Sequence, residues 1–223
     1  MKQTMKSLRT PQRTVCTVLA AAALAAGLSA CAPLIVGGAV VGGVMAIDRR
    51  TAGTQIEDEG IELRAANRIR EALGDRVHVN VTSYNRQALL TGEAATEQDR
   101  QTVERIVSQV ENVRSVVNDL AVMPSSTLSQ RSNDTFITGK VRASLVDAKD
   151  ISANAFKVVT ERNIVYLMGR VSQREATRAT EITRGVGGVS KVVRVFEIVS
   201  EEELRRIAPQ PAPVTTDSAP AGG

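Results

Sequence analysis

The tetrapeptide Leu89-Leu90-Thr91-Gly92 recurs as Leu167-Met168-Gly169, with the two glycines 77 positions apart. Further along, Val113-Arg114-Ser115-Val116-Val117 is matched by Val189-Ser190-Lys191-Val192-Val193, at an offset of 76. One deleted residue reconciles the two offsets. The chain therefore contains two copies of one structural unit, and its fold has to be interpreted as an internal repeat.

Each copy has the pattern helix, strand, strand, helix, strand. We place the first copy at residues 57–123 and the second at 131–200, joined by a linker at 124–130. Thr96 is expected to cap the second helix of the first copy. The positions that carry the pattern in the first copy are Ile61, Ala65, Ile69 and Leu73, then Val77, Val79 and Val81, then Gln87 to Gly92, then Val103, Ile106, Val107 and Val110, and finally Val116, Asn118, Leu120 and Val122.

The repeated pattern predicts an α+β fold of two tandem αββαβ units, each a three-stranded sheet packed on two helices. A copy of about 65 to 70 residues is small for independent stability. We therefore expect the two copies to pack against each other.

Residues 1–30 have the profile of a signal peptide, with basic residues, no acidic residue and an apolar run that is too short to span a bilayer. The junction Leu28-Ser29-Ala30-Cys31 resembles the lipobox of bacterial lipoproteins, in which the cysteine receives diacylglycerol and becomes the new N-terminus. Lipidation of Cys31 is the prediction, and a free thiol is the alternative. Because Cys16 lies in the removed segment, we expect no disulfide within the processed chain. Ala32 after the cysteine resembles the pattern exported to the outer membrane.

The segments that flank the repeat are unlike it in composition. Residues 31–56 form a Gly/Ala/Val-rich leader, which we expect to be flexible or to lie on the membrane surface; a short inserted or oligomerising segment is the alternative. Residues 201–223 form a Pro-rich tail, which we expect to be disordered.

Charge is unevenly divided between the copies. Without residues 1–30, the chain has 24 acidic and 24 basic side chains, so its high isoelectric point is no evidence for nucleic-acid binding. Residues 57–123 contain 12 acidic and 8 basic side chains, whereas residues 131–200 contain 7 acidic and 12 basic side chains. The second copy is therefore the cationic one, suited to an anionic surface.

The unit order, the glycine that ends the second strand and the V-x-x-V-V closure resemble the BON domain, a module of bacterial envelope proteins. Gly53-Thr54-Gln55-Ile56, Ile61-Glu62-Leu63-Arg64 and the segment Ser132 to Thr138 extend the similarity to dual-BON outer-membrane lipoproteins, which are associated with envelope integrity and division sites. This resemblance implies binding of anionic phospholipids, phosphatidylglycerol and cardiolipin, through the first helix of the second copy. Phe136 stands where the family pattern has tryptophan, and it lacks the indole N–H that favours the membrane interface.

Helical geometry independently singles out the same helix. Over residues 133–146, Phe136, Lys140 and Ala143 lie together about a quarter-turn from the core stripe, and Arg142 lies on its other side. We predict that Phe136, Lys140 and Arg142 contact phospholipid. The alternative is that Phe136 seals the contact between the copies while Lys140 is solvated.

Enzymatic chemistry, a cofactor and a metal site are not expected. His78 is the only histidine and sits in a strand, no group of residues has metal-ligand spacing, and the glycines at 185–188 follow a helix instead of opening one. The chief prediction is a lipid-anchored protein on the periplasmic face of a bacterial outer membrane. A protein-interaction adaptor for outer-membrane assembly or cell-wall remodelling is the second hypothesis, and nucleic-acid binding is the third.

Overall fold

Each copy folds around an antiparallel hairpin whose strands are joined by a two-residue turn. The computed structural model describes residues 48–207. The predicted signal peptide, Cys31, most of the leader and residues 208–223 lie outside the described residues. In the first copy the turn is Asn85-Arg86 and in the second it is Arg162-Asn163, and all four residues have positive φ angles between 50° and 67°. This conformation matches the twist of a tight hairpin.

The order helix, strand, strand, helix, strand is confirmed in both copies. The first copy consists of α1 (Ala52–Leu73), β1 (Val77–Tyr84), β2 (Gln87–Ala94), α2 (Glu97–Ser108), β3 (Ser115–Asn118) and β4 (Ala121–Val122). The second consists of α3 (Leu128–Asp147), β5 (Lys157–Glu161), β6 (Ile164–Val171), α4 (Gln173–Arg184) and β7 (Lys191–Ile198), followed by α5 (Glu201–Ile207). Thr96 caps α2 as predicted, because its side chain accepts a hydrogen bond from the Asp99 amide.

The second strand of each copy is the centre of its sheet. β2 runs antiparallel to β1 and parallel to β3 and β4, and β6 has the same relation to β5 and β7. The closing strand of the first copy is interrupted, because the Asn118 side chain accepts a hydrogen bond from the Leu120 amide. Apart from this interruption, the predicted three-stranded sheet is confirmed.

Helices cover one face of each sheet, as predicted. The apolar stripes of α1 and α2 pack on β2 residues in the first copy, and α3 and α4 pack on β6 residues in the second. The two buried clusters are centred on Ile61, Ala65, Ile69, Leu90, Val103 and Val107 in the first copy and on Ile137, Val141, Leu145, Val165, Leu167 and Ala179 in the second.

The opposite faces of the two sheets pack against each other. A third buried cluster joins Tyr84 and Leu89 of the first copy to Tyr166, Met168 and Val195 of the second. The predicted contact between the copies is therefore confirmed, and the layers follow the order helix, sheet, sheet, helix. Tyr166 also donates its phenol hydrogen to Asp119 across this contact, at 2.7 Å.

Two arginines just before α1 attach the start of the described chain to both copies. Arg49 pairs with Glu175 in the first turn of α4 at 2.7 Å and donates to the carbonyl of Arg170. Arg50 pairs with Asp58 of α1 at 2.8 Å and lies over the Tyr84 ring, 4.4 Å from its centroid. The segment that leaves the leader is therefore held at the contact between the copies.

Three helices extend beyond the boundaries that the sequence predicted. α1 begins at Ala52, inside the predicted leader, and α3 begins at Leu128, inside the predicted linker, because Thr51 and Thr127 provide N-caps. Disorder from residue 201 onward is wrong for residues 201–207, which form α5. Leu204 of α5 is buried, and Glu203 pairs with Arg170 at 2.7 Å.

The repeated glycines allow close backbone contact. A Cβ atom at Gly92 would lie 2.1 Å from the His78 carbonyl oxygen, and one at Gly169 would lie 2.3 Å from that of Ala155. Gly92 also has a φ of 112°, a conformation that other residues rarely adopt. The two glycines that reveal the repeat therefore occupy equivalent positions at which a side chain does not fit.

We predict that Gly92→Ala lowers the free energy of unfolding by about 3 kcal/mol, because backbone atoms have to move apart. Gly139→Ala is the matched control: its Cβ would meet nothing within 4 Å in the middle of α3, and alanine should stabilise the helix by about 0.5 to 1 kcal/mol. Urea unfolding of both variants measures the difference. Equal stability of the two variants would contradict the structural role of Gly92.

Candidate phospholipid-binding surface

The α3 helix is anchored at its start and along one face. Thr127 and Gln130 form a reciprocal capping box that satisfies amide groups of the first turn. The buried residues of α3 are Asp134, Ile137, Val141 and Leu145, which recur every three or four positions. This inner stripe fixes which residues of α3 point outward.

Three large apolar side chains are exposed on the outward face of α3, among small and polar residues. Leu128 is 79% exposed, Phe136 is 65% exposed and Val146 is 67% exposed, and Gly139 and Ala143 lie among them on the same side. Isolated exposed apolar residues are common, but a row of them along one helix face indicates an interaction surface. Phe136 lies off the core stripe, as predicted, and the alternative in which it seals the contact between the copies is wrong.

Lys140 lies beside Phe136 and is half-buried. Its Nζ atom is 5.0 Å from the centroid of the Phe136 ring, and it donates a hydrogen bond to the Gly187 carbonyl after the end of α4. The lysine is therefore not simply solvated. It places a positive charge between the apolar face of α3 and the end of α4.

Further basic residues flank this face without acidic partners. Arg142 is exposed on the other side of α3, as predicted, and Lys149 and Arg184 are exposed just after the end of α3 and at the end of α4. Within residues 48–207, none of Lys140, Arg142, Lys149 and Arg184 forms an ion pair. These charges are free to meet an external anion.

A shallow groove of about 540 Å³ separates α3 from α4 beside Lys140. Ala143, Ile182 and Val186 supply its apolar lining, and Gly185 and Gly187 leave it open. The groove continues the exposed apolar face of α3 toward the end of α4.

The equivalent helix of the first copy has a different surface. Ile56 and Leu63 are exposed on α1, but two basic residues near them are paired with carboxylates. Arg64 binds Glu57, and Arg68 binds Glu111, each at 2.7 Å. Arg70, exposed on the same side as Leu63, forms no ion pair within the described residues. The first copy therefore differs from α3 in having most of the basic residues near its exposed apolar side chains paired with carboxylates.

His78 takes part in a polar cluster between the copies. Its Nδ1 atom lies 2.9 Å from Glu93, which also accepts hydrogen bonds from the Ser126 amide and from Arg162. Although burial opposes ionisation of Glu93, these donors hold its pKa below the usual range. All the groups are paired with one another, which indicates a structural role for the histidine.

Two buried aspartates have a structural role that was not predicted from the sequence. Asp58 accepts hydrogen bonds at 2.8 Å from the amides of Asn85 and Arg86, and Asp134 does the same for Arg162 and Asn163. Each carboxylate thus holds the hairpin turn of its own copy against the first helix. The available signal was a carboxylate repeated 76 positions apart, three residues before an apolar core position, in two otherwise different helices.

No helix within residues 48–207 has both the length and the apolar character needed to cross a bilayer. The same residues contain no cluster of three or more histidine, cysteine or carboxylate side chains suited to a metal ion.

Comparison with known proteins identifies the repeated unit. The family model described as "BON domain" matches residues 61–124 and 133–200, which together make up more than half of the chain. The chain belongs to the BON domain family. The two BON domains coincide with the two copies, so the resemblance inferred from the sequence is confirmed.

Several proteins of known sequence are similar to this chain, three of which show how far the similarity extends. Outer membrane lipoprotein DolP of Haemophilus influenzae is 33% identical over 172 residues, covering 76% of this chain and 89% of the relative. The 21 kDa hemolysin of Actinobacillus pleuropneumoniae is 34% identical over 155 residues, covering 69% of this chain and 80% of the relative. Osmotically-inducible protein Y of Escherichia coli is 34% identical over 106 residues, covering 47% of this chain and 48% of the relative. The BON family and the lipoprotein relative point to a non-enzymatic protein.

The hydrogen bonds to the Asp58 carboxylate predict how the stability of the fold depends on pH. Burial opposes ionisation, but hydrogen bonds from Arg86, Ser83, Arg50 and Asn85 outweigh it and lower the pKa of Asp58 below its ordinary value of 3.8. A lowered pKa in the folded state means that Asp58 stabilises the fold above about pH 4 and loses this contribution as the pH falls through the folded-state pKa.

We expect Asp58→Asn to cost about 3 kcal/mol at pH 7, because the amide offers one acceptor oxygen and turns a donor toward other donors. The cost should shrink as the pH falls below about 4 toward pH 3, because the stabilisation by a group whose folded-state pKa is lowered weakens over that range. Urea unfolding at both pH values measures this, with the exposed Asp75→Asn as the control. A cost that is the same at both pH values would contradict the assignment.

Proposed function

We propose that the chain is a lipoprotein held by acyl chains on Cys31 at the periplasmic face of a bacterial outer membrane, where α3 of its second BON domain binds anionic phospholipid. Phosphatidylglycerol and cardiolipin are the ligands, and support of envelope integrity and of division sites is the role. The observation that carries the proposal is the exposed apolar face of α3 beside unpaired basic residues.

The two parts of this surface suit the two parts of a phospholipid. Burying a phenylalanine side chain in an apolar environment is worth about 1.5 to 3 kcal/mol. Each basic residue near an anionic membrane surface adds about 1 kcal/mol. Phe136 and the four neighbouring basic residues together supply moderate affinity, and because phenylalanine has no indole N–H we expect the ring to sit deeper than a tryptophan would.

The tether is long enough for α3 to reach the bilayer. Arg49 pairs with the first turn of α4 and Lys140 contacts Gly187 beyond the end of α4, so the two contacts are separated by a helix of 12 residues, about 18 Å. The 18 residues from Cys31 to Asp48 span at most about 65 Å. Attachment at Cys31 is therefore compatible with contact between α3 and the same membrane.

Because the protein is anchored, the α3 surface needs only a weak affinity for phospholipid. A tethered module meets its membrane at an effective concentration in the millimolar range. A binding site with a dissociation constant of about 1 mM would then be substantially occupied. Two or three acyl chains, with palmitate among them, would hold the protein at the membrane.

Lipidation is tested directly on the processed protein. We predict that mass spectrometry of protein purified from membranes finds a chain starting at Cys31 with the mass of diacylglycerol and a further acyl chain attached. Cys31→Ser should abolish both processing and modification. An unmodified thiol, or a start at another residue, would overturn the anchor.

Phospholipid binding is tested without the anchor, so that only the protein surface contributes. We predict that a chain lacking residues 1–31 sediments with phosphatidylcholine vesicles that contain cardiolipin or phosphatidylglycerol, and not with phosphatidylcholine alone. Phe136→Glu should weaken sedimentation by at least about tenfold, because a carboxylate replaces the apolar insertion. Raising the salt from about 0.01 M to 0.15 M should also weaken it.

The matched control for Phe136→Glu is Ile56→Glu. Ile56 is 71% exposed on α1, the equivalent helix of the first domain, so the same chemical change is made where no lipid contact is proposed. An equal loss of sedimentation in the two variants would contradict lipid binding by α3. So would the absence of sedimentation of the unsubstituted chain at low salt.

A second function, that of a protein-interaction adaptor, is favoured by a separate observation. The outer edge of β1 is not paired with another strand in the described residues, and it borders a groove. The two functions are compatible, because this groove shares no lining residue with the α3 surface.

A further inference from the structure

Two edge strands, one from each BON domain, border the same groove. β1 is the outer strand of the first sheet and β5 is the outer strand of the second. The groove has a volume of about 600 Å³, and α1 forms its third wall. Its lining residues are Glu59, Glu62, Leu63 and Ala66 of α1, Val79, Asn80, Val81 and Thr82 of β1, and Val159, Thr160 and Glu161 of β5.

The edge of β1 has backbone groups without partners. The Ala95 amide donates to the Arg76 carbonyl, and because hydrogen-bonded pairs alternate along an antiparallel ladder, the even-numbered residues of β1 bond to β2. The amide and carbonyl groups of Val79, Val81 and Ser83 therefore face away from β2. Those of Ser83 are bound by Glu62 and Lys157, but those of Val79 and Val81 have no hydrogen-bond partner within residues 48–207.

This edge lacks the features that usually prevent strand addition. The pairing of β1 with β2 is continuous from Val77↔Ala94 to Tyr84↔Gln87, so no bulge twists the edge away. The strand contains no proline and no lysine. Proteins commonly protect exposed edges with such features, and their absence leaves β1 open to pairing with another extended chain.

Three carboxyl groups line the groove, and the most buried of them forms no ion pair within the part of the chain that the structure describes. Glu161 is 3% exposed and accepts a hydrogen bond from Asn80 at 2.9 Å. Burial raises the pKa of Glu161, and the nearby carboxylate of Glu93 adds to the effect. Glu62 is already paired with Lys157 at 2.8 Å, but Glu59 and Glu161 form no ion pair within residues 48–207 and no basic residue lines the groove. The groove therefore favours a cationic occupant.

We propose that an extended segment of a partner protein, carrying lysine or arginine, adds to β1 as a strand in this groove. Its backbone pairs with Val79 and Val81, and its cationic side chain reaches Glu161. Leu63, which is 64% exposed at the rim, packs on an apolar side chain of the segment. This mode of recognition takes affinity from the backbone and specificity from alternate side chains. The inference is independent of lipid binding by α3.

The test uses the processed full chain in phosphatidylcholine nanodiscs and two blocked hexapeptides, one of alternating lysine and valine and one of alternating glutamate and valine. We expect the lysine peptide to bind with a dissociation constant of about 1 mM or lower and the glutamate peptide to bind at least about tenfold more weakly. Hydrogen exchange at the amides of Val79 and Val81 should slow with the lysine peptide. The amides of β6 should not change.

Two variants separate the backbone and charge contributions. Val81→Pro removes an amide that faces away from β2, a position at which an edge strand tolerates proline, and should abolish binding. Glu161→Gln keeps an acceptor for Asn80 but removes the charge, and should weaken binding about tenfold. Glu71→Gln, an exposed glutamate of α1 outside the groove, is the control and should bind normally. If Val81→Pro does not fold, as judged by β6 exchange, the lysine peptide with its alternate amides methylated provides the same test.

Several results would overturn the inference. Equal affinities for the lysine and glutamate peptides would remove the charge argument, and unchanged exchange at Val79 and Val81 would remove strand addition. Sedimentation showing a dimer whose Val79 and Val81 amides are already protected would assign the groove to a second copy of the chain. Because none of these measurements depends on anionic lipid, failure here is distinguishable from failure of the α3 proposal.

Discussion

The contact between a buried aspartate and a hairpin turn organises each BON domain. Asn85 and Arg86 in one copy, and Arg162 and Asn163 in the other, adopt positive φ angles, which cost about 1 to 3 kcal/mol each in residues other than glycine. Asp58 and Asp134 each accept two hydrogen bonds from the amides of these turns. The same contact joins the first helix to the end of the hairpin, so it fixes which face of that helix is buried and which is left outside.

From this common scaffold the two domains develop different outer surfaces. Asp58 also binds Arg50, so the first domain uses its buried carboxylate to hold the segment that follows the leader. Asp134 binds the turn alone among the described residues. Position 60 of the first domain is glycine, whereas the equivalent position 136 is an exposed phenylalanine. The two copies therefore share their inner contacts but differ outside. The first copy holds the segment that follows the leader, and the second exposes an aromatic side chain on α3.

Local patterns predicted the elements, and long-range contacts account for what the sequence did not show. Periodicity identified the stripes of α1 and α3, and the outward position of Phe136 followed from it. Capping threonines at 51 and 127 extended two helices because a cap acts through the adjacent backbone, which apolar periodicity does not register. The pairing of Arg49 with Glu175 joins residues 126 positions apart, and the stacking of the two sheets depends on which face each alternating strand turns inward. Neither follows from spacing along the chain.

The balance of energies gives α3 an orienting role in the proposed lipoprotein. Acyl chains contribute about 0.8 kcal/mol for each buried methylene, so two or three chains exceed by far the few kcal/mol that Phe136 and its basic neighbours supply. Retention at the membrane would then depend on Cys31, and α3 would determine which side of the molecule faces the lipid. With α3 against the bilayer, the β1 edge remains available only if the groove points away from the headgroups. The orientation that α3 gives to the molecule would therefore decide whether a partner protein can reach the groove. The affinity of the groove for that partner does not depend on lipid.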